Sequence, residues 1–183
     1  MDCIAVIDVE TNWENQVISI GAVIAEKETL RTVEDRYYVL DPIYKTGGMY
    51  SYALNLKGQK TVICQRDKAI DGIIDVLKKH NVNSLFAYNA HFDYNHLPEL
   101  QSYTWYDIMR IAAYKQYNRA IPLNAVCCST GRLKTGYGVE GIMRILKGEG
   151  VYFESHNALF DAHDELEVMR LLKVKVDTYI KLF

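Results

Sequence analysis

The sequence predicts an α/β fold in which helices flank a mixed sheet of five strands. The first forty residues hold three β-branched, apolar runs separated by short polar stretches, which is typical of an antiparallel meander. Further along, apolar residues recur at spacings of three and four, which indicates helices with one buried face. Two short apolar runs among those helices have the length of further strands, which we expect to pair in parallel.

The strands are recognised one by one from their composition. Residues 3–9 are the first strand, an apolar run that ends in acidic residues. Residues 17–25 and 32–40 are the second and third strands, and the polar EKET sequence between them is typical of a turn. Residues 84–88 and 104–107 are the two later strands.

Helices are predicted before, between and after the later strands. Residues 69–79 carry an apolar face, and a helical stretch after the fourth strand stops near Pro98. Another helix begins near Ile108, directly after the fifth strand. Residues 139–146 and 158–173 are the last two helices, and the second of them has an apolar stripe at helical spacing.

Residues 118–137 are the least regular part of the chain. They include one proline, two glycines and the basic residues Arg119, Arg132 and Lys134. Long irregular segments are usually functional or mobile loops. The three basic side chains are therefore candidates for phosphate contacts, with a solvated basic loop as the alternative.

Length, charge and cysteine usage exclude several classes of protein. The chain has 183 residues without repeats or linkers, so we expect one domain, residues 1–183. No apolar run reaches the roughly 20 residues that a membrane-spanning helix needs. Four cysteines without a CxxC pair indicate free thiols in a reducing compartment, which predicts a cytoplasmic protein. A net charge of −2 argues against a protein that coats nucleic acid. It favours a protein that binds only a few nucleotides at the end of a nucleic acid chain.

Two acidic residues end the first strand. Asp8 and Glu10 lie two positions apart in IDVET, so their side chains point to the same side, about 7 Å apart along the strand. Partly buried carboxylates of like charge raise each other's pKa, and a bound divalent cation removes that conflict. The alternative is a surface strand end with two solvated acids.

Two later segments carry polar side chains at positions where sites assemble in α/β sheets. Asp93 follows the fourth strand, at the start of a helix, where an acid also stabilises the helix N-terminus. His156 and Asp161 are five residues apart and do not share a helix face. We therefore expect Asp161 in the first turns of the last helix and His156 in the preceding loop, where an imidazole can activate water.

Taken together, these segments resemble a known family. The motifs IDVET, NAHFD and HNALFD, in this order, are similar to the three exonuclease motifs of the DEDD 3′–5′ exonucleases. The His-x-x-x-x-Asp spacing resembles the DEDDh branch, which includes the proofreading epsilon subunit of bacterial DNA polymerase III and RNase T. The resemblance runs from residue 3 to about residue 172 and implies the RNase H-like, DnaQ-like fold.

The resemblance also implies a role for each of five residues. Asp8, Glu10, Asp93 and Asp161 are expected to hold two divalent ions, Mg²⁺ or Mn²⁺, with Asp8 bridging them. Glu10 and Asp161 complete the site of the ion on the side of the attacking water, Asp93 acts at the other ion, and His156 is the general base. The implied reaction releases nucleoside 5′-monophosphates from the 3′ end of single-stranded or frayed DNA or RNA.

The segment after the first motif departs from the family. After Glu10 and Thr11 the family often continues with Thr-Gly, whereas this chain has Asn12 and Trp13. Main-chain groups here meet the terminal nucleotide in the family, and Trp13 is expected to stack on a base, which is worth ~1–3 kcal/mol. A packed, partly buried Trp13 is the alternative. The residues expected to contact substrate are Thr11, Asn12, Trp13, Asn89 and Phe92.

The sequence says less about partners and competing functions than about the site residues. The expected partner is the 3′ end of a nucleic acid, while a homodimer, which some relatives form, and association with a polymerase stay open. A catalytically weak module that binds nucleic acid or a polymerase is the main alternative. His163 and Asp164 also form the dipeptide of HD-type phosphohydrolases, but that fold is all-helical and the first half of this chain predicts strands.

Overall fold

The computed structural model describes residues 2–55, 59–148 and 150–183. Six strands in this part of the chain form one sheet, whose strands are, in chain order, β1 (Cys3–Thr11), β2 (Val17–Glu26), β3 (Thr32–Leu40), β4 (Val62–Cys64), β5 (Ser84–Ala87) and β6 (Thr104–Asp107). Their spatial order is β4-β3-β2-β1-β5-β6, so the first strand lies in the middle of the sheet.

The sheet is mixed, as predicted. β1 pairs antiparallel with β2, and β2 pairs antiparallel with β3. The pairs β1–β5, β5–β6 and β3–β4 are parallel. The α/β class with an antiparallel meander and added parallel strands is therefore confirmed. The sheet has one strand more than the five expected, because β4 has only three residues at an exposed edge and leaves too short a pattern to recognise.

Five α-helices surround the sheet in the described residues: α1 (Arg66–Lys79), α2 (His91–His96), α3 (Met109–Ala112), α4 (Val139–Lys147) and α5 (Ala158–Leu172). α1 begins three residues earlier than the predicted 69–79, and α3 is a single turn. The predicted loop at 118–137 contains only isolated bridges rather than strands or helices. None of the helices in these residues has the length and apolar character needed to cross a membrane.

Alternation along β1 divides its side chains between two apolar cores. Ile4 and Val6 pack in the core that contains the buried faces of α4 and α5. Ala5 and Ile7 pack in the opposite core, which contains the buried face of α1. Since side chains two apart share a face, Asp8 lies at the α5 side of the sheet.

A glycine sets the distance between α5 and the sheet. A Cβ atom at Gly21 in β2 would lie 2.2 Å from the carbonyl oxygen of Ala158, the first residue of α5. Only glycine allows this approach, because any side chain would overlap the helix backbone. Gly21 pairs with Asp8 in the sheet, so the start of α5 is held directly beside Asp8.

Candidate metal and catalytic site

The start of α5 is anchored by its N-cap residue. Asn157 is fully buried, and its Oδ1 accepts from the main-chain N–H groups of Leu159 and Phe160, at 3.2 and 3.4 Å. Its Nδ2 donates to the carbonyl oxygen of Ala53, at 2.7 Å, and to the hydroxyl of Tyr37, at 3.2 Å. These contacts tie the helix start to β3 and to the segment that follows it, and they set the direction in which Asp161 projects.

Three of the predicted site residues converge at this point. Ligand atoms of Glu10, His156 and Asp161 all lie within 4.8 Å of one another. Burial, and next the negative charge of Glu154, raise the pKa of Glu10 to about 7. Burial, and next the charge of Glu10, raise the pKa of Asp161 to about 8. The hydroxyl of Ser155 donates to Oδ1 of Asp161 at 3.3 Å, which acts in the opposite direction.

Asp8 and Asp93 are buried more deeply than this cluster and interact with its charges. Asp93 is 2% exposed in α2, and its Oδ1 accepts from the main-chain N–H of Val9 in β1 at 3.2 Å. Oδ2 of Asp8 is buried and has no hydrogen-bond partner among the described residues. Burial raises the pKa of Asp8 well above its ordinary value, and the charge of Asp93 raises it further. The pKa of Asp93 is likewise raised, chiefly by burial.

This donor set fits divalent cations. Carboxylates that share a buried space repel one another. A buried carboxylate oxygen without a partner also loses its hydration, and no hydrogen bond or ion replaces it. Asp8 shows both features, and no lysine, arginine or histidine of the described residues forms an ion pair with it. Hard oxygen ligands with one imidazole nearby suit Mg²⁺ or Mn²⁺.

The structure adds three residues that the sequence reasoning missed. Glu165 lies one turn after Asp161 on α5 and is 3% exposed. Glu154 precedes His156 by two positions, and burial raises its pKa to about 7. The ring of Tyr50 stacks on the ring of His156. The four-residue spacing from Asp161 is a sequence signal for Glu165, whereas Tyr50 is brought to the site only by tertiary packing.

Comparisons with known proteins bear on this fold. No protein-family model matches the sequence, and no curated protein matches it. The nuclease domain of 3′hExo, a DEDDh family member bound to rAMP, is similar at a TM-score of 0.67 and 14% identity, over 100% of this chain and 96% of that one. The chain has the fold of the DEDDh 3′ exonucleases.

Two further solved structures share the DEDDh fold with this chain. A 3′-exonuclease, in a structure of 3′-end-specific recognition of the histone mRNA stem-loop, is similar at a TM-score of 0.65 and 15% identity, covering 100% of this chain and 91% of that one. E. coli Exonuclease I in complex with a dT13 oligonucleotide is similar at a TM-score of 0.62 and 13% identity. That likeness covers 96% of this chain and 42% of Exonuclease I.

In this DEDDh fold, an open pocket adjoins the acidic site. Its volume is about 420 Å³, and its lining includes Glu10, Thr11, Trp13, Tyr50 and Phe92. The side chains of Trp13 and Phe92 are 69% and 38% exposed, so Trp13 does not have the packing role that was the alternative. Two aromatic faces are thus available to a ligand beside Glu10.

Both predicted asparagines make structural hydrogen bonds, and Asn12 also lines the pocket. The Asn12 side chain accepts from the main-chain N–H groups of Glu14 and Gln16 and donates to Thr46 at 2.8 Å, so it shapes the turn that presents Trp13. Asn89 does not line the pocket, and its main-chain N–H donates to Asp107 at 3.1 Å. Asn12 thus reaches the pocket with a side chain that already makes hydrogen bonds, and a substrate contact of either asparagine stays a prediction.

Two of the three basic residues of the irregular loop, Arg119 and Arg132, lie in different places. Arg119 lies with Leu171 and Leu172 at the C-terminal end of α5, roughly 15 Å along the helix from Asp161. Arg132 lies over the ring of Tyr137, 4.4 Å from its centroid, and the Tyr137 carbonyl accepts from the Tyr88 hydroxyl. Arg132 is therefore held next to the residue that follows β5, while Arg119 is remote from the acidic site.

Proposed function

We propose that this protein is a metal-dependent 3′–5′ exonuclease that releases nucleoside 5′-monophosphates from single-stranded or frayed ends of DNA or RNA. The observation that carries the proposal is the convergence of Glu10, His156 and Asp161 within 4.8 Å. Asp8 and Asp93 extend this cluster as buried carboxylates that need a cation. The DEDDh fold around the site supports the proposal, as do its neighbours bound to rAMP and to a dT13 oligonucleotide.

Each side chain has a task that suits its position. Two divalent ions, Mg²⁺ or Mn²⁺, would supply Lewis-acid stabilisation of the charge on the reacting phosphodiester. Asp8 and Asp93 would hold the deeper end, and Glu10 and Asp161 the end next to His156. His156 takes a proton from the attacking water, since a ring nitrogen lies within 4.8 Å of the ligand oxygens of Glu10 and Asp161, and the ring makes no hydrogen bond among the described residues. A zinc-bound form of the similar E. coli Exonuclease I–ssDNA complex supports a metal-holding role for this fold.

The pocket next to Glu10 favours a terminal nucleotide as ligand. Trp13 and Phe92 offer exposed aromatic faces, on which any base can stack without sequence preference. The net charge of −2 disfavours binding to a long stretch of nucleic acid, because such binding requires an excess of positive side chains to neutralise many phosphates. We therefore propose that binding energy comes from the metal ions and from stacking at the chain end.

The direct test follows short single-stranded DNA and RNA labelled at the 5′ end. With Mn²⁺ or Mg²⁺ we expect a ladder of products shortened from the 3′ end, and with EDTA no shortening. Chromatography of the released fraction should show nucleoside 5′-monophosphates. The same oligonucleotides labelled at the 3′ end should lose their label in the first step.

Two variants make this test specific. His156→Ala should lower turnover by ~10²–10⁴-fold, the usual contribution of a general base. Asp164→Asn removes a carboxylate of α5 that hydrogen-bonds Tyr152, and this variant should retain activity. Binding of the oligonucleotides without shortening, under Mg²⁺ and Mn²⁺ alike, would instead favour the catalytically weak binding module.

A further inference from the structure

We infer that Glu165 is a fifth carboxylate of the metal site and serves the end formed by Asp8 and Asp93. The inference rests on the proposed metal-dependent function and extends it to a residue outside the three motifs. Glu165 follows Asp161 by four positions in α5, which places both side chains on the same helix face. That face is buried against the sheet, since α5 contacts both β1 and β2 and its first residue lies against Gly21 of β2.

The first line of support is an oxygen atom without a partner. Glu165 is 3% exposed, and its Oε2 has no hydrogen-bond partner among the described residues. Buried polar atoms in folded proteins are nearly always paired, so such an atom indicates a missing water or ion. Oδ2 of Asp8 is in the same condition, and the negative charge of Glu165 is among those that raise the pKa of Asp8.

The second line of support is the sign of the surrounding charge. Of the charges around Glu165 that raise its pKa, the largest effect comes from Asp93, followed by Asp161 and Glu154. In the described part of the chain, no lysine, arginine or histidine forms an ion pair with Glu165. An isolated buried carboxylate beside other carboxylates is costly unless a cation neutralises it.

A structural role would leave a different signature. A glutamic acid that only fills space would have its second oxygen paired with a donor of the protein, as Glu34 has with Lys79 and His80. The main-chain N–H of Tyr88 donates a hydrogen bond to the Glu165 carboxyl, and Oε2 remains free to bind another ligand. The unpaired oxygen and the neighbouring charges of Asp93 and Asp161 together point to the cation.

Direct Mn²⁺ binding tests this without substrate. We expect calorimetric titration of the wild type to give two ions, and Glu165→Gln to weaken one of them by about 10- to 100-fold, as loss of a supporting carboxylate does at other metal sites. Glu167→Gln is the matched control, since Glu167 lies on the same helix but pairs with Arg170 at 3.2 Å. It should bind both ions as the wild type does.

The outcomes separate this inference from the proposed function. Wild-type affinity and stoichiometry in Glu165→Gln would overturn the role of Glu165, even if the wild type shortens oligonucleotides. A wild type that binds two ions but leaves 3′ ends intact would overturn only the proposed function. Circular dichroism checks folding; if Glu165→Gln does not fold, Glu165→Asp retains the charge but withdraws the oxygen. Glu165→Asp too should bind one of the two ions with lower affinity, and unchanged Mn²⁺ binding would overturn the inference.

Discussion

The ring of Tyr50 lies flat against the ring of His156, with centroids 3.8 Å apart and an interplanar angle of 14°. His156 itself has a φ of +54°, in the left-handed region that residues other than glycine seldom adopt. Such a conformation persists only where surrounding structure holds it. The stack with Tyr50 and the buried cap at Asn157 are the contacts that hold this imidazole over Glu10 and Asp161.

Removal of the Tyr50 ring should therefore impair catalysis through His156. Tyr50→Leu is expected to lower kcat by about 2- to 10-fold, the range that corresponds to the energy of one aromatic pair. Tyr50→Phe keeps the stack and should restore kcat to near the wild-type value. In the background of His156→Ala, Tyr50→Leu should have no further effect on kcat, because there is no ring left to position. A fall in kcat of equal size in both backgrounds would contradict this role.

Replacement of Asp8 should separate activity from stability. Asp8→Asn is expected to reduce turnover by more than about 100-fold, beyond what loss of an outer supporting group causes. The metal-free variant should melt at a higher temperature than the wild type, because one of several mutually repelling, buried charges is gone. Thermal melting with and without Mn²⁺ measures both effects. An Mn²⁺-induced shift equal to that of the wild type would show that Asp8 is not a ligand.

The raised pKa values predict the pH dependence of stability. Folding raises the pKa of Glu10 from 4.5 to about 7 and the pKa of Asp161 from 3.8 to about 8. Both carboxyl groups therefore bind protons more tightly in the folded protein than in the unfolded one. Their contribution to stability is present below the ordinary values and is lost as pH rises through the folded ones. The free energy of unfolding of the metal-free protein should thus fall between about pH 5 and pH 8.

Urea denaturation at a series of pH values checks this prediction. Saturating Mn²⁺ should remove most of the fall, since the ion favours the ionised carboxylates. Asp161→Asn should make the metal-free curve shallower, while Asp67→Asn, which removes an exposed carboxylate in the first turn of α1, should leave its slope unchanged. A metal-free protein whose stability rises over this interval would contradict the assigned pKa shifts.

The exposed ring of Trp13 should contribute to substrate affinity. Trp13→Ala is expected to raise KM for short oligonucleotides by about 5- to 150-fold, as loss of ~1–3 kcal/mol of stacking implies. Trp13→Phe should recover part of the affinity, and kcat should change little in either variant. Leu123→Ala removes another exposed apolar side chain, 92% exposed in the irregular loop, and serves as the control. Unchanged KM in Trp13→Ala would place the terminal base elsewhere.

Much of the fold was accessible from local pattern alone. Five of the six strands and the major helices follow from periodicity over a few residues, and the ends of β1 and β5 mark where Glu10 and Asp93 would meet. β4 was missed because an edge strand of three residues has no measurable period. Substrate contacts of Asn12 and Asn89 stay predictions, since motif position says nothing about which hydrogen bonds a residue already makes.

The sequence by itself determined the identity and order of the acids and the placement of Asp161 just inside a helix with His156 before it, since alternation and helical spacing are properties of neighbouring residues. Only the tertiary structure decided that α5 touches β2 at Gly21, that Tyr50 covers His156, and that Glu165 is sealed from water. These relationships join residues that are distant in the chain, and they depend on how the elements pack rather than on any local pattern.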